Sequence, residues 1–438
     1  MDLRDRLWRT AVKVPVVLVA ALPGATEVRL EAEAELRRRG WPSADAPAGA
    51  NLLVVCGNPF PDRDRQLDTV QRNMPQPAVR VVVPRPGDTP QALDAGLARL
   101  RASGNVPSGG EPRHGDGGGH GSPSGHRGAG DAASEGPSDS GSTPAAHDHS
   151  PHHDGEHTEH DAHGGHADHH AHAMSTVAGL PMADRADDRD GLRLDQLHLP
   201  IGPMLADWPA GLILRCALQG DIVQEVHVDR LPPPPGTTSF WNEPWLRASH
   251  GEPVTLGIGS RRRCAAHLDS LGRLLAVAGW ADPAVRLRRL RDDVLAGAPG
   301  VPCGERLRAL ARRIQRSRTL HWSLTGLGRL PAERARPWGV TGPALVADGD
   351  VHDRLLVWLR EAERATRDFD DVRLMEAGQS MGPRGAVGGA GLPSQALLDV
   401  LPGLLTGAEF GGARLVVASL DPDLDEPVAV SAAEGAHG

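Results

Sequence analysis

The residues best suited to chemistry in this 438-residue chain are histidines, and more than half of the 21 fall between His147 and His172. His147, His149, His152, His153, His157, His160, His163, His166, His169, His170 and His172 are interleaved with Asp and Glu. A neutral imidazole ligates nickel, zinc or copper, and a run of imidazoles and carboxylates collects such ions without a preformed cage. The tract is the candidate metal site, for nickel or zinc, and its affinity should fall as imidazoles protonate near about pH 6. A GC-rich reading frame drifting into Gly, Asp and His codons would write the same run without a biological metal role. The other reactive types are scattered. Cys56, Cys216, Cys264 and Cys303 form no CxxC pair, so neither a zinc ribbon nor a disulfide framework is indicated, and thiols in a reducing cytoplasm fit best. His250, His267, His321 beside Trp322 and His352 beside Asp353 belong to no Ser-His-Asp or HExxH arrangement and read as structural or surface histidines.

The histidines sit inside a longer segment, residues 102–190, made of Gly, Ser, Pro, Asp and His with almost no large apolar side chain. Such a run cannot bury enough apolar surface to offset the entropy of ordering it, so it reads as a disordered linker. It divides the chain into an α/β domain over residues 1–101 and a larger domain over 191–430, both ordinary domain sizes. The net charge is −9 and Lys13 is the sole lysine, which gives no broad basic face and disfavours a nucleic-acid role. The apolar run Val14 to Leu22 is far short of the roughly 20 residues a membrane span needs, and its β-branched content suits a buried strand better than a signal peptide. No direct transmembrane segment is expected.

In the first domain, Val14 to Leu22, Asn51 to Cys56 and Val79 to Val83 read as strands. Helices are expected over Thr26 to Arg39, Asp64 to Asn73 and Thr89 to Leu100. This alternation predicts a parallel sheet of flavodoxin-like type. Ligands of such sheets bind past the carboxyl ends of strands, here near Pro23-Gly24, Gly57-Asn58-Pro59 and Pro84 to Gly87, but no GxGxxG or phosphate loop follows any of them. Chain turning is the simpler role. In the second domain Leu212, Leu214, Cys216 and Leu218 alternate on one strand, Gly220-Asp221 turns, and Ile222, Val226 and Val228 return, until Pro232 to Pro235 stop the sheet. Helical faces follow at Leu268/Leu271/Leu275, Leu287/Leu290/Val294, Leu307/Leu310/Ile314 and Leu355/Leu359/Ala362. A mainly helical α+β domain results, with Arg288, Arg289, Arg312 and Arg313 read as solvated helix surface.

The stretch from Ala50 to Gly57 and the turn Met74-Pro75-Gln76-Pro77 resemble the small iron–sulfur subunit shared by respiratory complex I and the nickel–iron hydrogenases. After the linker, Gly202-Pro203, Gly211 to Arg215 and Gln219-Gly220-Asp221, then residues 323–354 (SLTGLGRLPAERARPWGVTGPALVADGDVHDR), then 413–427 (ARLVVASLDPDLDEP) follow the motif order of the large, quinone-site subunit of complex I and its hydrogenase-large-subunit relatives. The resemblance implies a fusion of both folds on a His-rich tether. It also implies ligands that this chain lacks. Pro23-Gly24 and Pro84 to Gly87 stand where the family places cluster cysteines, Ala210 stands where a quinone-binding histidine precedes Gly211, there is no tyrosine, and Asp421-Pro422 is followed by Asp423, Leu424, Asp425 and Glu426 instead of CxxC.

The expected function is a non-catalytic structural or accessory subunit of a membrane-associated NADH-quinone oxidoreductase or hydrogenase-like complex, a pseudoenzyme with no catalytic activity alone and no cofactor in its folded domains. Its expected partners are the membrane and peripheral subunits of that assembly. Its expected location is the cytoplasm, peripheral at the inner face of the cell membrane. The alternatives are a nickel or zinc handling protein acting through the histidine tract, and a genuine quinone/NADH oxidoreductase subunit with a remodelled site.

Overall fold

A computed structural model of the chain describes residues 14–59, 61–103, 176–177, 180–181, 184–187, 193–376, 378, 380–387 and 392–426. Strands β1 (Val17–Ala21), β2 (Leu52–Cys56) and β3 (Val79–Val83) alternate with helices α1 (Thr26–Arg39), α2 (Pro61–Arg72) and α3 (Thr89–Ser103). The strands pair in parallel in the order β1-β2-β3, as their near-continuous apolar content requires of strands covered on both faces. Successive side chains point to opposite faces. Leu52, Val54 and Cys56 therefore meet α1 and α3, while Leu53 and Val55 meet Leu67 of α2.

Helix α1 is buried on two sides. Val28, Ala32 and Leu36 pack on the sheet, whereas Leu30 joins the core of the helical part of the molecule. Arg29, Glu33 and Arg37, spaced at i, i+4 and i+8, form a charged stripe between those apolar contacts.

Residues 176–187, assigned to the linker from composition, contain strands β4 (Thr176–Val177), β5 (Leu180–Pro181) and β6 (Asp184–Asp187). β6 pairs with β7 (Arg193–Ile201), and β7 with β8 (Leu212–Gln219), which forms the expected hairpin with β9 (Ile222–Arg230). The hairpin thus becomes half of a four-stranded antiparallel sheet. A register shift at Ala217/Leu218 turns Val223, not Ile222, fully inward, which simple alternation along β9 misses.

The helical part comprises α4 (Glu243–Ser249), α5 (Leu256–Val277), α6 (Ala281–Leu295), α7 (Gly300–Gln315), α8 (Arg318–Leu324), α9 (Ala332–Ala335), α10 (Gly342–Ala347), α11 (Val351–Ala365), α12 (Pro393–Leu405) and α13 (Phe410–Leu420). Leu268, Leu271, Leu275, Leu287, Leu290, Val294, Leu307, Ile314, Leu355, Leu359 and Ala362 share one core with the inner face of β8 and β9. Helix α5 is its centre, buried along most of its length, and packs against α6, α11 and α13. Among the described residues no helix is long and apolar enough to cross a membrane.

Candidate functional site at the seam of sheet and helices

The charged stripe of α1 meets α5 and α6. Arg29 reaches Asp269 of α5 at 2.7 Å and Glu33 at 2.8 Å, Arg291 of α6 bridges Glu33 at 3.0 Å and Asp269, and Arg37 meets Asp292 at 2.7 Å. The side chains of Asp269 and Arg291 are 0% exposed. Burial alone would drive both carboxyls to protonate, but Arg29 and Arg291 outweigh it and hold Asp269 and Glu33 well below the usual carboxylate range. Arg288, expected on the solvated surface, is half-buried and paired with Asp207, since α6 turns that side toward the seam. Arg289, Arg312 and Arg313 are exposed as expected.

The second half of the seam comes from the chain after α13. Asp421 caps that helix in a left-handed conformation, φ 42°, which a short acidic side chain tolerates, and folds the following residues under the molecule. Its carboxylate receives Arg273 at 2.9 Å, Arg384 at 2.5 Å and the Ser270 hydroxyl at 2.7 Å. Asp425 then accepts the Gly24 N–H and the Thr26 hydroxyl, both at 2.5 Å, at the turn between β1 and α1. The N-cap residue of α1, Ala25, has no capping side chain of its own, so the distant carboxylate sits at the helix N-terminus, where the dipole favours negative charge. Of the ligand positions expected past the strand ends, the one after β1 is filled by protein.

Asp423 and Glu426 behave differently. Asp423 accepts from Ser239 at 2.5 Å, and Glu426 accepts from Asn242 at 2.9 Å and the Ser394 N–H at 3.0 Å. Burial, with the neighbouring Asp425 and Glu426 charges, pushes the Asp423 carboxyl up to about 8, and burial also raises Glu426. The shift favours the protonated form of Asp423. Arg384, 3% exposed, leaves Nη1 without a hydrogen-bond partner among the described residues, and so does buried His267 at Nδ1. Burial, then the Arg384 charge, keeps His267 neutral.

Two small cavities flank Arg29, Trp208 and Arg273. One of about 20 Å³ lies against Thr26, Arg384 and Asp421 to Asp425; the other, of about 80 Å³, is lined by Glu33, Arg37, Asp207, Ala210 and Arg288. The smaller has room for about one water molecule. No histidine or cysteine lines either. Burial pushes the Cys56 thiol up to about 12 and raises the other three thiols, and all four cysteines are free and buried, so none is poised as a thiolate. The seam can hold charge and a proton, and its side chains offer no set suited to an iron–sulfur cluster or a nickel centre.

Elsewhere, His321 and His352 come together with ring centroids 4.7 Å apart, a pairing that sequence spacing does not reveal. His267 is buried and His250 exposed, so those two histidines do not act as a pair. His147 to His172 lie outside the described residues. Among the described residues no three His, Cys, Asp or Glu side chains are grouped to hold a metal ion. The buried charges of Asp269 and Arg291 were not singled out from sequence, although an aspartate within the apolar run AAHLDSLGRLL was a signal for the first.

The sequence matches no family model and no curated protein. Among solved structures, it is similar to a chain of the membrane-bound sulfane sulfur reductase, an archaeal respiratory membrane complex, at 15% identity and a TM-score of 0.37, over 53% of this chain and 98% of that one. A likeness of that size assigns neither fold nor activity.

Two outcomes follow from the seam's electrostatics. Asp269→Asn leaves Arg29 and Arg291 undercompensated in the interior and should cost about 3–5 kcal/mol in denaturant unfolding; a cost under about 1 kcal/mol would show that the network is not held as described. The raised Asp423 means that the folded chain keeps a proton that the unfolded carboxyl, with its ordinary value near about 4, releases. Its contribution is full below that value and lost as pH rises through about 8, whereas those of Glu33 and Asp269 are lost as pH falls through the acid range. Above the range in which His267 of the unfolded chain titrates, stability measured from about pH 7 to 9 should decline by roughly 1 kcal/mol, and Asp423→Asn should flatten that decline. An identical slope in the variant contradicts the assignment.

Proposed function

We propose that the chain is a non-catalytic, structural or accessory subunit of a membrane-associated assembly of the complex I and hydrogenase type. In this reading residues 1–101 derive from a flavodoxin-like small iron–sulfur subunit and residues 191–430 from a hydrogenase-large-subunit fold, fused on a His-rich tether. The observation that carries it is Asp425. The strand-end turn that would face the redox centre in such proteins, Pro23-Gly24, is closed by a carboxylate from the very segment that replaces the metal-binding CxxC. The motif order of the helical part supports the same descent. The seam cavities, about 80 and 20 Å³, are also far smaller than the roughly 300–1,000 Å³ of ordinary cofactor and substrate pockets, which disfavours a remodelled quinone or NADH site. Its partners would be the membrane and peripheral subunits of that assembly, at the inner face of the cell membrane.

Nickel or zinc handling by His147 to His172 is the second reading, favoured by the density of imidazole and carboxylate in that tract. One preparation separates the two. Extracted from its native cells in mild detergent, the chain should migrate in a particle larger than itself that contains membrane-spanning subunits, and a Gly/Ser replacement of residues 147–172 should leave that particle intact. A free chain that loses nickel or zinc, together with its role in metal-limited cells, when the tract is replaced would overturn the subunit reading in favour of metal handling.

A further inference from the structure

Helices α6 and α7 leave between them an open groove of about 780 Å³ that continues past Trp280. Six arginines line it, Arg286, Arg289, Arg306, Arg312, Arg313 and Arg316, against a single carboxylate, Asp282. Asp282 is already used by Arg286 and Arg313, and Arg306 pairs with Asp293 at the margin. Arg289, Arg312 and Arg316 are exposed and have no ion-pair partner among the described residues. The floor is aliphatic, from Val285, Ala309 and Leu310, and Trp280 closes one end beneath the Arg313 guanidinium, 5.5 Å from the ring centroid.

Solvated arginines on a lone helix carry no information, but these converge from two helices on one concave strip. We infer that the groove is a docking site for an acidic peptide segment of a partner protein, one in which carboxylates alternate with apolar side chains. Guanidinium forks take carboxylates in bidentate geometry, and the aliphatic floor takes the intervening side chains. Arg306 to Arg316 spans about 15 Å at about 1.5 Å per helical residue, the reach of roughly four to five extended residues at about 3.3 Å each. Bare phosphates, free or on lipid headgroups, are poorer occupants, because they would leave the aliphatic floor unused. The site lies on a different face from the seam and does not depend on the functional reading above.

The test uses the full chain and a fluorescein-labelled Glu-Leu-Glu-Leu-Glu-Leu peptide, read by fluorescence anisotropy at low and high salt. Binding should weaken with salt, as screening of exposed charges requires. The exposed, unpaired set Arg289→Glu/Arg312→Glu/Arg316→Glu should lose about tenfold or more in affinity. Equal charge reversal elsewhere, Arg334→Glu/Arg336→Glu/Arg367→Glu, should lose little, and circular-dichroism melts of both variants should match the parent. No binding, or equal losses in both variants, would overturn the proposal. Tighter binding of duplex DNA or of anionic phosphatidylglycerol vesicles would overturn the peptide class. A large gain in peptide affinity on deleting residues 147–172 would assign the groove to the chain's own acidic tract and exclude a separate partner.

Discussion

Desolvation of the Arg29–Glu33–Asp269–Arg291 network is the constraint from which the rest of the molecule follows. Taking an isolated carboxylate or guanidinium out of water costs several kcal/mol even after relaxation, and Asp269 and Arg291 are wholly removed from it. They pair with each other across α5 and α6, and α1 of the sheet layer adds Arg29 to Asp269 and Glu33 to Arg291, completing the network. Separating the layers would strand Asp269 and Arg291 beside each other with Arg29 and Glu33 gone, and would expose Leu30, which belongs to the helical core. The sheet and the helices are therefore held in one arrangement by charge pairing and apolar burial acting at the same helix. Such a network specifies geometry more than it adds net stability, since a well-packed apolar seam could be as stable.

The segment after α13 completes that arrangement. Asp421 neutralises Arg273 and Arg384, and Asp425 closes the turn after β1, so one six-residue stretch ties the end of the described chain to its first strand. Burial and the neighbouring Asp425 and Glu426 raise the Asp423 carboxyl, because like charges in a low-dielectric interior resist being ionised together. The seam is thus a place where proton occupancy and architecture are coupled, and it needs no bound group to account for its closure.

Much of the fold was legible beforehand where local pattern and tertiary environment agree. Buried parallel strands are nearly continuous in apolar residues, so VLVAA, LLVVC and, with one arginine, VRVVV announced themselves, and the i, i+3, i+7 apolar residues of α5, α6 and α7 marked their inward faces. The pattern failed where burial contradicts polarity. The polar strand β6 is placed by pairing with β7, and β7 by pairing with β8, a partnership that local pattern does not announce. Arg288 reads as solvated because charge usually is, and its burial is decided by Asp207, 81 residues away in sequence; the burial of Asp425 depends on Gly24, 401 residues away. That no cysteine follows β1 was readable, but the closure of that turn by a distant carboxylate was not, since nothing local ties Asp425 to the end of β1.

The central proposal is that the seam, closed at the turn after β1 by Asp425, holds no redox centre. Its most direct test is the iron and acid-labile sulfide content of the full chain, purified without exposure to air and examined by electron paramagnetic resonance after reduction. The account predicts no stoichiometric iron or sulfide and no cluster signal, in the parent and in Asp425→Ala alike. Stoichiometric iron and sulfide with a reducible cluster signal in the parent chain would contradict it.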